Sequence, residues 1–168
     1  MKQSQKDLGG LQCTILDPVD ANQKPELIVI LCHGFGAPGD DLVPLGQWIC
    51  QQNPGLGETV RFVFPEAPLS LSDMGMPGGR AWWMIDTLAM QRAIESGKPR
   101  DLSRDIPEGM PEASAVVSKL VNHLMDFHEL TSDRMILGGF SQGSMVTTDV
   151  ALRMTQAPGG LIVMSGTL

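Results

Sequence analysis

The stretch RMILGGFSQGSM, residues 134–145, decides how the rest of the chain is read. Its first half is apolar and ends in two glycines. Its second half opens SQGSMVTTDVALRM (141–154), a segment with helical character. At the junction, Gly139-Phe140-Ser141-Gln142-Gly143 matches the pattern G-x-S-x-G. A serine at a tight strand-to-helix corner is held in a strained backbone conformation with its hydroxyl presented at the start of the helix. Side chains two positions to either side would collide there, so both places call for glycine. The helix end supplies unpaired N–H groups and positive potential to a developing oxyanion. The competing reading is a glycine-rich turn whose serine merely caps the helix. The apolar strand before the motif and the helix after it favour a nucleophile.

Working outward, LIVILCHG (27–34) is apolar at nearly every position. Such a run fits a strand buried on both faces, as in a parallel sheet. DDLVPLGQWICQQ (40–52) has helical spacing through Leu42, Leu45, Trp48 and Ile49. Asp40 or Asp41 is a candidate cap, and Pro44 fits only the first turn. ETVRFVFPEAP (58–68) reads as a strand broken at Pro65. PEASAVVSKLVNHLMDFHEL (111–130) reads as a helix with Ala113, Val116, Val117, Leu120, Val121, Leu124 and Phe127 on one face. GGLIVMSG (159–166) is a last strand, and LQCTILD (11–17) a candidate antiparallel edge strand. Strands alternating with helices predict one α/β domain over residues 1–168, with a mainly parallel sheet and helices on both faces.

Composition narrows the class. A hydrophobic content of 42%, a charged content of 18% and 168 residues suit one globular domain. The net charge of −7 argues against nucleic acid or an anionic membrane as the main partner. Cys13, Cys32 and Cys50 are too few and too odd for a disulfide framework, and no metal-ligand spacing occurs. MKQSQKDLGGLQ lacks the apolar core of a signal peptide, and no apolar run reaches ~18 residues. These features predict a reduced, cytoplasmic, soluble protein without a membrane span.

Two loops stand out beside the serine. LCHGFGAPGDD (31–41) follows a strand and carries His33-Gly34-Phe35-Gly36. Hydrolases built on such a corner draw one oxyanion N–H from the residue after the nucleophile and another from this earlier loop. The candidates are the backbone N–H groups of Phe35 and Gln142. The loop lacks both the G-K-[ST] of a P-loop and the spacing of a dinucleotide fingerprint. The second is the excursion 66–110, far longer than the usual connection of ~2–6 residues in α/β units. It holds Met74, Met76, Trp82, Trp83 and Met84, with a short helical pattern through Leu88, Met90 and Ile94. It reads both as a structured excursion packed on the body and as a wall of a ligand crevice at the C-terminal ends of the strands.

These stretches carry a resemblance. LCHGFGAPGDDL, FVFPEAP, MGMPGGRAWWMID, RMILGGFSQGSM and LIVMSGTL, in this order, resemble the phospholipase/carboxylesterase family of α/β-hydrolases, which includes the acyl-protein thioesterases. The resemblance implies the α/β-hydrolase fold and hydrolysis of small-molecule acyl esters or thioesters, with neither metal nor organic cofactor. It implies Ser141 as nucleophile and Phe35 and Gln142 as oxyanion donors. It also implies an acyl site formed in part by the excursion, with Met76 and Trp83 as candidate contributors.

The departure lies after Ser141. A serine nucleophile needs a histidine base and an acid, in the order Ser…Asp…His in this fold. The 27 residues after Ser141 contain no histidine. The resemblance implies the acid after the next strand and the histidine after the last; at ~30 residues per strand-plus-crossover unit, roughly 60 further residues would hold them, so the fold is expected to lack its last strands. His33 belongs to the oxyanion loop, and His123 and His128 flank the apolar face of a helix as surface or boundary residues. Asp86 and Asp149 read as surface or ion-paired acids. Two functions follow: a carboxylic ester or thioester hydrolase nearly inactive as this chain alone, or a non-catalytic acyl-binding module that keeps the corner. A strand at 160–165 without an outer neighbour is further expected to be exposed and to self-associate.

Overall fold

The continuous apolar run lies at the centre of the fold, and its two faces organise everything else. In the computed structural model, which describes residues 2–17, 24–86, 95 and 106–166, Leu27–Cys32 forms strand β3. Ile28, Ile30 and Cys32 join one apolar cluster, while Val29 and Leu31 join another on the opposite face. This is the period-two alternation of a strand covered from both sides.

In chain order the other elements are β1 (Lys2–Leu8), β2 (Leu11–Asp17), α1 (Val43–Gln52), the short α2 (Leu56–Thr59) and β4 (Val60–Pro65). There follow β5 (Leu69–Ser70), β6 (Arg80–Ala81), α3 (Met110–His128), β7 (Met135–Phe140), α4 (Gln142–Arg153) and β8 (Gly160–Met164). Six strands make one sheet in the order β1-β2-β4-β3-β7-β8. The four from β4 to β8 are parallel, and β1 and β2 are antiparallel additions. Helix α1 covers one face, over Leu16, Val29, Leu31, Phe62 and Phe64. Helices α3 and α4 cover the other, with Trp82 and Trp83 in the same cluster. The register Ile28↔Met135 through Cys32↔Gly139 brings the C-terminal ends of β3 and β7 level, so the loops that leave them emerge side by side.

Four sequence expectations need correction. Residues 11–17 are antiparallel but not the edge, because β1 pairs outside them through a Gly9-Gly10 turn with both residues at positive φ. Two glycines between short segments are a hairpin signal, but KQSQKDL has no apolar alternation to announce a strand. No aspartate side chain caps α1, whose N-cap is Leu42. Its fully buried line runs through Val43, Gly46 and Cys50; Leu42, Leu45 and Ile49 of the expected face pack against the same cluster, and Trp48, 58% exposed, is the one that turns away. The reason is close packing: a Cβ on Gly46 would lie 2.7 Å from Phe64 Cζ. On α3 the expected face is buried through Leu124, and Val116 packs from its rim. The last turn differs, with Phe127 72% exposed and His128 buried. A 3.6-residue turn rotates the stripe steadily, and the inward position goes to the residue that has an inward partner, Arg61.

Of the excursion, residues 66–86 form a small two-stranded hairpin, β5 with β6, and a 3-10 turn at Ser72–Met74. The helical pattern through Leu88, Met90 and Ile94 falls outside the described residues. At the other side of the sheet, Leu161, Ile162 and Val163 of β8 are 40%, 39% and 48% exposed, the exposed apolar strand that the sequence predicts.

Candidate active site

Ser141 is the corner between β7 and α4. It is the N-cap of α4 with φ 50 and ψ −116, a conformation that non-glycine residues rarely adopt. Its surroundings over-determine it. A Cβ on Gly139 would meet the Cys32 carbonyl oxygen and the Gly143 backbone, and one on Gly143 would collide with the backbone of Cys32 and His33. Both glycines of the motif are therefore required by close approach of β3. The Ser141 carbonyl accepts from the N–H groups of Ser144 and Met145 at 3.0 and 3.2 Å and from the Ser144 hydroxyl at 2.7 Å. The Ser141 N–H donates to the Met164 carbonyl of β8 at 2.8 Å. Gln142, the first helical residue, has no intrahelical acceptor for its own N–H.

The loop after β3 runs against this corner. A Cβ on Gly34 would lie 3.5 Å from Ser141 Cβ and 3.1 Å from the Phe140 ring. Phe35, the next residue, is half-buried. His33 is 1% exposed and both ring nitrogens are committed. Nε2 accepts from the Ala67 N–H at 3.1 Å, which leaves the proton on Nδ1, donated to the Gly34 carbonyl at 2.8 Å. Burial lowers the His33 pKa, so the ring stays neutral. His33 thus shapes the loop and has no nitrogen to offer Ser141.

The excursion is fastened to both loops. The Gly36 N–H donates to the Arg80 carbonyl at 2.9 Å, and the Arg80 N–H to the Ala37 carbonyl at 3.1 Å. Arg80 pairs with Glu66. Trp82, 2% exposed, donates its indole N–H to the His33 carbonyl at 2.9 Å. The Gln142 side chain, itself 2% exposed, accepts the Trp82 N–H at 2.9 Å and donates to the Trp83 carbonyl at 2.8 Å. Sequence reasoning used only the backbone of Gln142. A long amide side chain directly after the serine, at the first position of the helix, is the only signal of its side-chain role. Met76 is half-buried, with its sulfur 3.6 Å from where a Cβ on Gly36 would stand. Trp83 is 4% exposed and packs in the core beneath this region. Met74 and Met84 are exposed.

The remaining candidates lie elsewhere. His128 sits at the end of α3, which leads into the start of β7, whereas Ser141 follows the end of that strand. A six-residue strand separates these edges by roughly 20 Å. His128 is buried rather than a boundary residue, and its Nε2 faces Arg61 Nη1 at 2.6 Å. Burial first, and the Arg61 charge second, push its pKa down to about 4. Exposed His123 stacks on Phe127. Asp149 pairs with Arg153 at 2.7 Å, which holds its carboxyl below the usual range. All three cysteines are free buried thiols, with Cys13 pushed up to about 12 and Cys32 well above its ordinary value, in each case chiefly by burial. Among the described residues, no three His, Cys, Asp or Glu side chains converge as a metal site would need, and no helix is long and apolar enough to cross a membrane.

Comparison with known proteins places this arrangement. Residues 17–168 match the phospholipase/carboxylesterase family model. The chain is 30% identical over 154 residues to acyl-protein thioesterase 1 of Debaryomyces hansenii, covering 88% of this chain and 61% of that protein. It is 28% identical over 145 residues to acyl-protein thioesterase 1 homolog 1 of Dictyostelium discoideum, covering 83% and 57%. The crystal structure of esterase PE8 superposes with a TM-score of 0.72 and 28% identity, over 100% of this chain and 66% of that one. A carboxylesterase from Mesorhizobium loti, 17% identical, shares the fold with a TM-score of 0.67, over 99% of this chain and 66% of that one. The chain therefore spans about three fifths of the length of the curated relatives it matches. A serine corner after a doubly covered strand, a glycine loop lying against it, and a family match over nearly the whole sequence agree: this chain belongs to the phospholipase/carboxylesterase family and has the α/β-hydrolase fold.

Proposed function

We propose that the chain carries the nucleophile and oxyanion part of a serine hydrolase acting on carboxylic esters or thioesters in a cytoplasmic setting. The observation that carries this is the strained conformation of Ser141, which both motif glycines exist to permit. An ordinary cap serine would need neither. In this reading Ser141 Oγ attacks the substrate carbonyl, and the tetrahedral oxyanion is received by the backbone N–H groups of Phe35 and Gln142. Collapse expels the alcohol or thiol and leaves an acyl-enzyme, which water then hydrolyses. Met76 lines the acyl site beside Gly36, and Trp83 supports the wall from beneath. The family's name and the thioesterase relatives supply the substrate class.

The base is the unsupplied part. His33 has both nitrogens engaged and His128 belongs to the opposite edge of the sheet. By itself the 168-residue chain is therefore expected to be nearly inactive, because Ser141 stays protonated. In subtilisin, a serine hydrolase of unrelated fold, removal of the histidine costs on the order of 10⁶-fold in kcat. The same observation favours the second reading, an acyl-binding module without turnover. The test compares hydrolysis of p-nitrophenyl butyrate by three proteins: this chain, Ser141→Ala, and a version extended by a homologous C-terminal segment bearing an aspartate and a histidine. Turnover restored by the extension and abolished by Ser141→Ala supports the hydrolase. Ordinary esterase rates from the bare chain would show an internal base and overturn the account of Ser141 activation. Acyl binding without labelling of Ser141 by a fluorophosphonate, even in the extended protein, would favour the module.

A further inference from the structure

Three hydrogen bonds join the oxyanion loop to residues 80–82 of the excursion, beside the bond from the Ala67 N–H to His33 Nε2 at the excursion's start. The His33 carbonyl accepts the Trp82 indole N–H, the Gly36 N–H reaches the Arg80 carbonyl, and the Ala37 carbonyl accepts the Arg80 N–H. The His33 and Trp82 rings also lie with centroids 5.7 Å apart. Residues 80–82 therefore fix the path of the loop that contains Phe35. What fixes residues 82 and 83 is the side chain of one residue on the other side of the site. Gln142 accepts from Trp82 N–H and donates to Trp83 C=O.

A primary amide carried into a 2% exposed position must be bonded, since an unbonded buried amide costs about 1–3 kcal/mol. Gln142 uses both ends of its amide on two successive backbone groups that lie beyond the end of β6. The same residue offers its own backbone N–H at the start of α4. On the reading proposed above, Gln142 thus holds one oxyanion donor directly and reaches the other through Trp82 and the 33–37 loop.

We infer that the Gln142 side chain is a positioning residue that couples the excursion to the oxyanion loop, so that the wall of the acyl site and the direction of the Phe35 N–H are set together. This rests on the hydrolase reading for its chemical meaning, but the coupling itself has a readout independent of turnover.

The experiment measures amide hydrogen exchange by NMR in the full 168-residue chain and in two variants. Gln142→Met keeps the length and apolar volume and removes both hydrogen bonds. Gln142→Glu keeps an acceptor for the Trp82 N–H but sets a carboxylate against the Trp83 carbonyl. Both retain the backbone N–H of residue 142. The expected result is exchange at least about tenfold faster at Trp82 N–H and also at Gly36 N–H, an amide Gln142 does not touch, with β3 and β7 amides unchanged. Tenfold corresponds to about 1.4 kcal/mol, the scale of one or two hydrogen bonds. Wild-type protection of Gly36 in whichever variant folds would overturn the coupling and reduce Gln142 to a local cap of Trp82 and Trp83.

A second arm measures fluorophosphonate labelling of Ser141 in the protein extended by the C-terminal segment bearing the aspartate and histidine. Failure of that extended protein to label counts against the hydrolase reading and leaves the exchange result standing. If it labels, the same protein carrying Gln142→Met should label about tenfold more slowly at matched folding, the same factor carried to the reacting centre. Equal labelling with a loosened Gly36 would overturn the positioning role.

Discussion

The two edges of the sheet each hold a buried histidine in a polar network, and only one edge looks like a reaction site. At the C-terminal edge, neutral His33 is bonded on both nitrogens and braces a loop against Ser141. At the N-terminal edge, His128 faces Arg61, which donates its Nε–H to Asp17 at 2.5 Å, while Lys24 and Glu129 pair nearby. Judged by perturbed titration alone, the second edge would attract more attention, because the His128 pKa is the more sharply displaced of the two. The first edge is distinguished instead by backbone: a serine at positive φ, glycines packed against a neighbouring strand, and unpaired N–H groups at a helix start. A shifted pKa here marks the place where the fold satisfies buried charge. Backbone strain marks the place proposed for chemistry.

The comparison can be broken most forcefully at Gly143. Gly143→Ala places a Cβ into the backbone of Cys32 and His33. It should cost more than about 4 kcal/mol, beyond the usual range for a point change, and is expected to abolish cooperative thermal unfolding. A variant with a wild-type melting temperature would mean that β3 yields to the corner instead of confining it.

Next comes the structural edge. Arg61→Ala leaves Asp17 buried without its partner and should destabilise by about 3 kcal/mol in urea titration. Hydrogen exchange at Gly36 and Trp82 should be unaffected at temperatures where the variant is folded. Loosening of those amides would show that the two edges are not independent.

A smaller effect concerns pH. The folded pKa of His128 lies near 4, below the ordinary value of 6.5, so folding favours the neutral ring. Its contribution is fully present above pH 6.5 and is lost as pH falls from 6.5 toward 4, where the unfolded chain takes up the proton first. The melting temperatures of wild type and His128→Asn, each measured at about pH 7 and about pH 4.5, should therefore converge at the lower pH. About 1–2 kcal/mol of the wild-type advantage is expected to disappear across that window. A gap independent of pH would remove titration of His128 as a source of stability. The smallest effect on folding, though a visible one in solution, is expected at β8. Exposed Leu161, Ile162 and Val163 should drive association, and Val163→Lys should shift light scattering toward monomer. A wild type that is monomeric at high concentration would overturn this.

Much of this was legible in the sequence, for reasons tied to particular residues. An apolar run covered from both sides has no polar face to hide it, so β3 declared itself. The G-x-S-x-G corner depends on two missing side chains, and a missing side chain is visible in the sequence. Lateral relations were not legible. Nothing in VNHLMDFH says that His128 rather than Phe127 turns inward, because that is decided by Arg61, 67 positions earlier. Nothing in KQSQKDL announces β1, since a strand exposed along most of its length carries no apolar alternation. The grip of Gln142 on residues 82 and 83 depends on a contact across 60 and 59 positions, and only the fold creates it.

The serine's own amide has a consequence beyond the site. Ser141 N–H is spent on the Met164 carbonyl, the last residue of β8. The register Ile136↔Gly160 through Phe140↔Met164 is therefore also the tether of the corner. A frame slip of the outer strand would turn every side chain from Leu161 to Val163 to the opposite face, and it would withdraw that carbonyl from Ser141. The connection 154–159 sets this frame, with Gly159 donating to the carbonyls of Ser132 and Met135 at 3.0 and 2.8 Å. Surface turns usually tolerate changes in length. Here a one-residue insertion between Arg153 and Gly160 would amount to a mutation of Ser141, the proposed nucleophile.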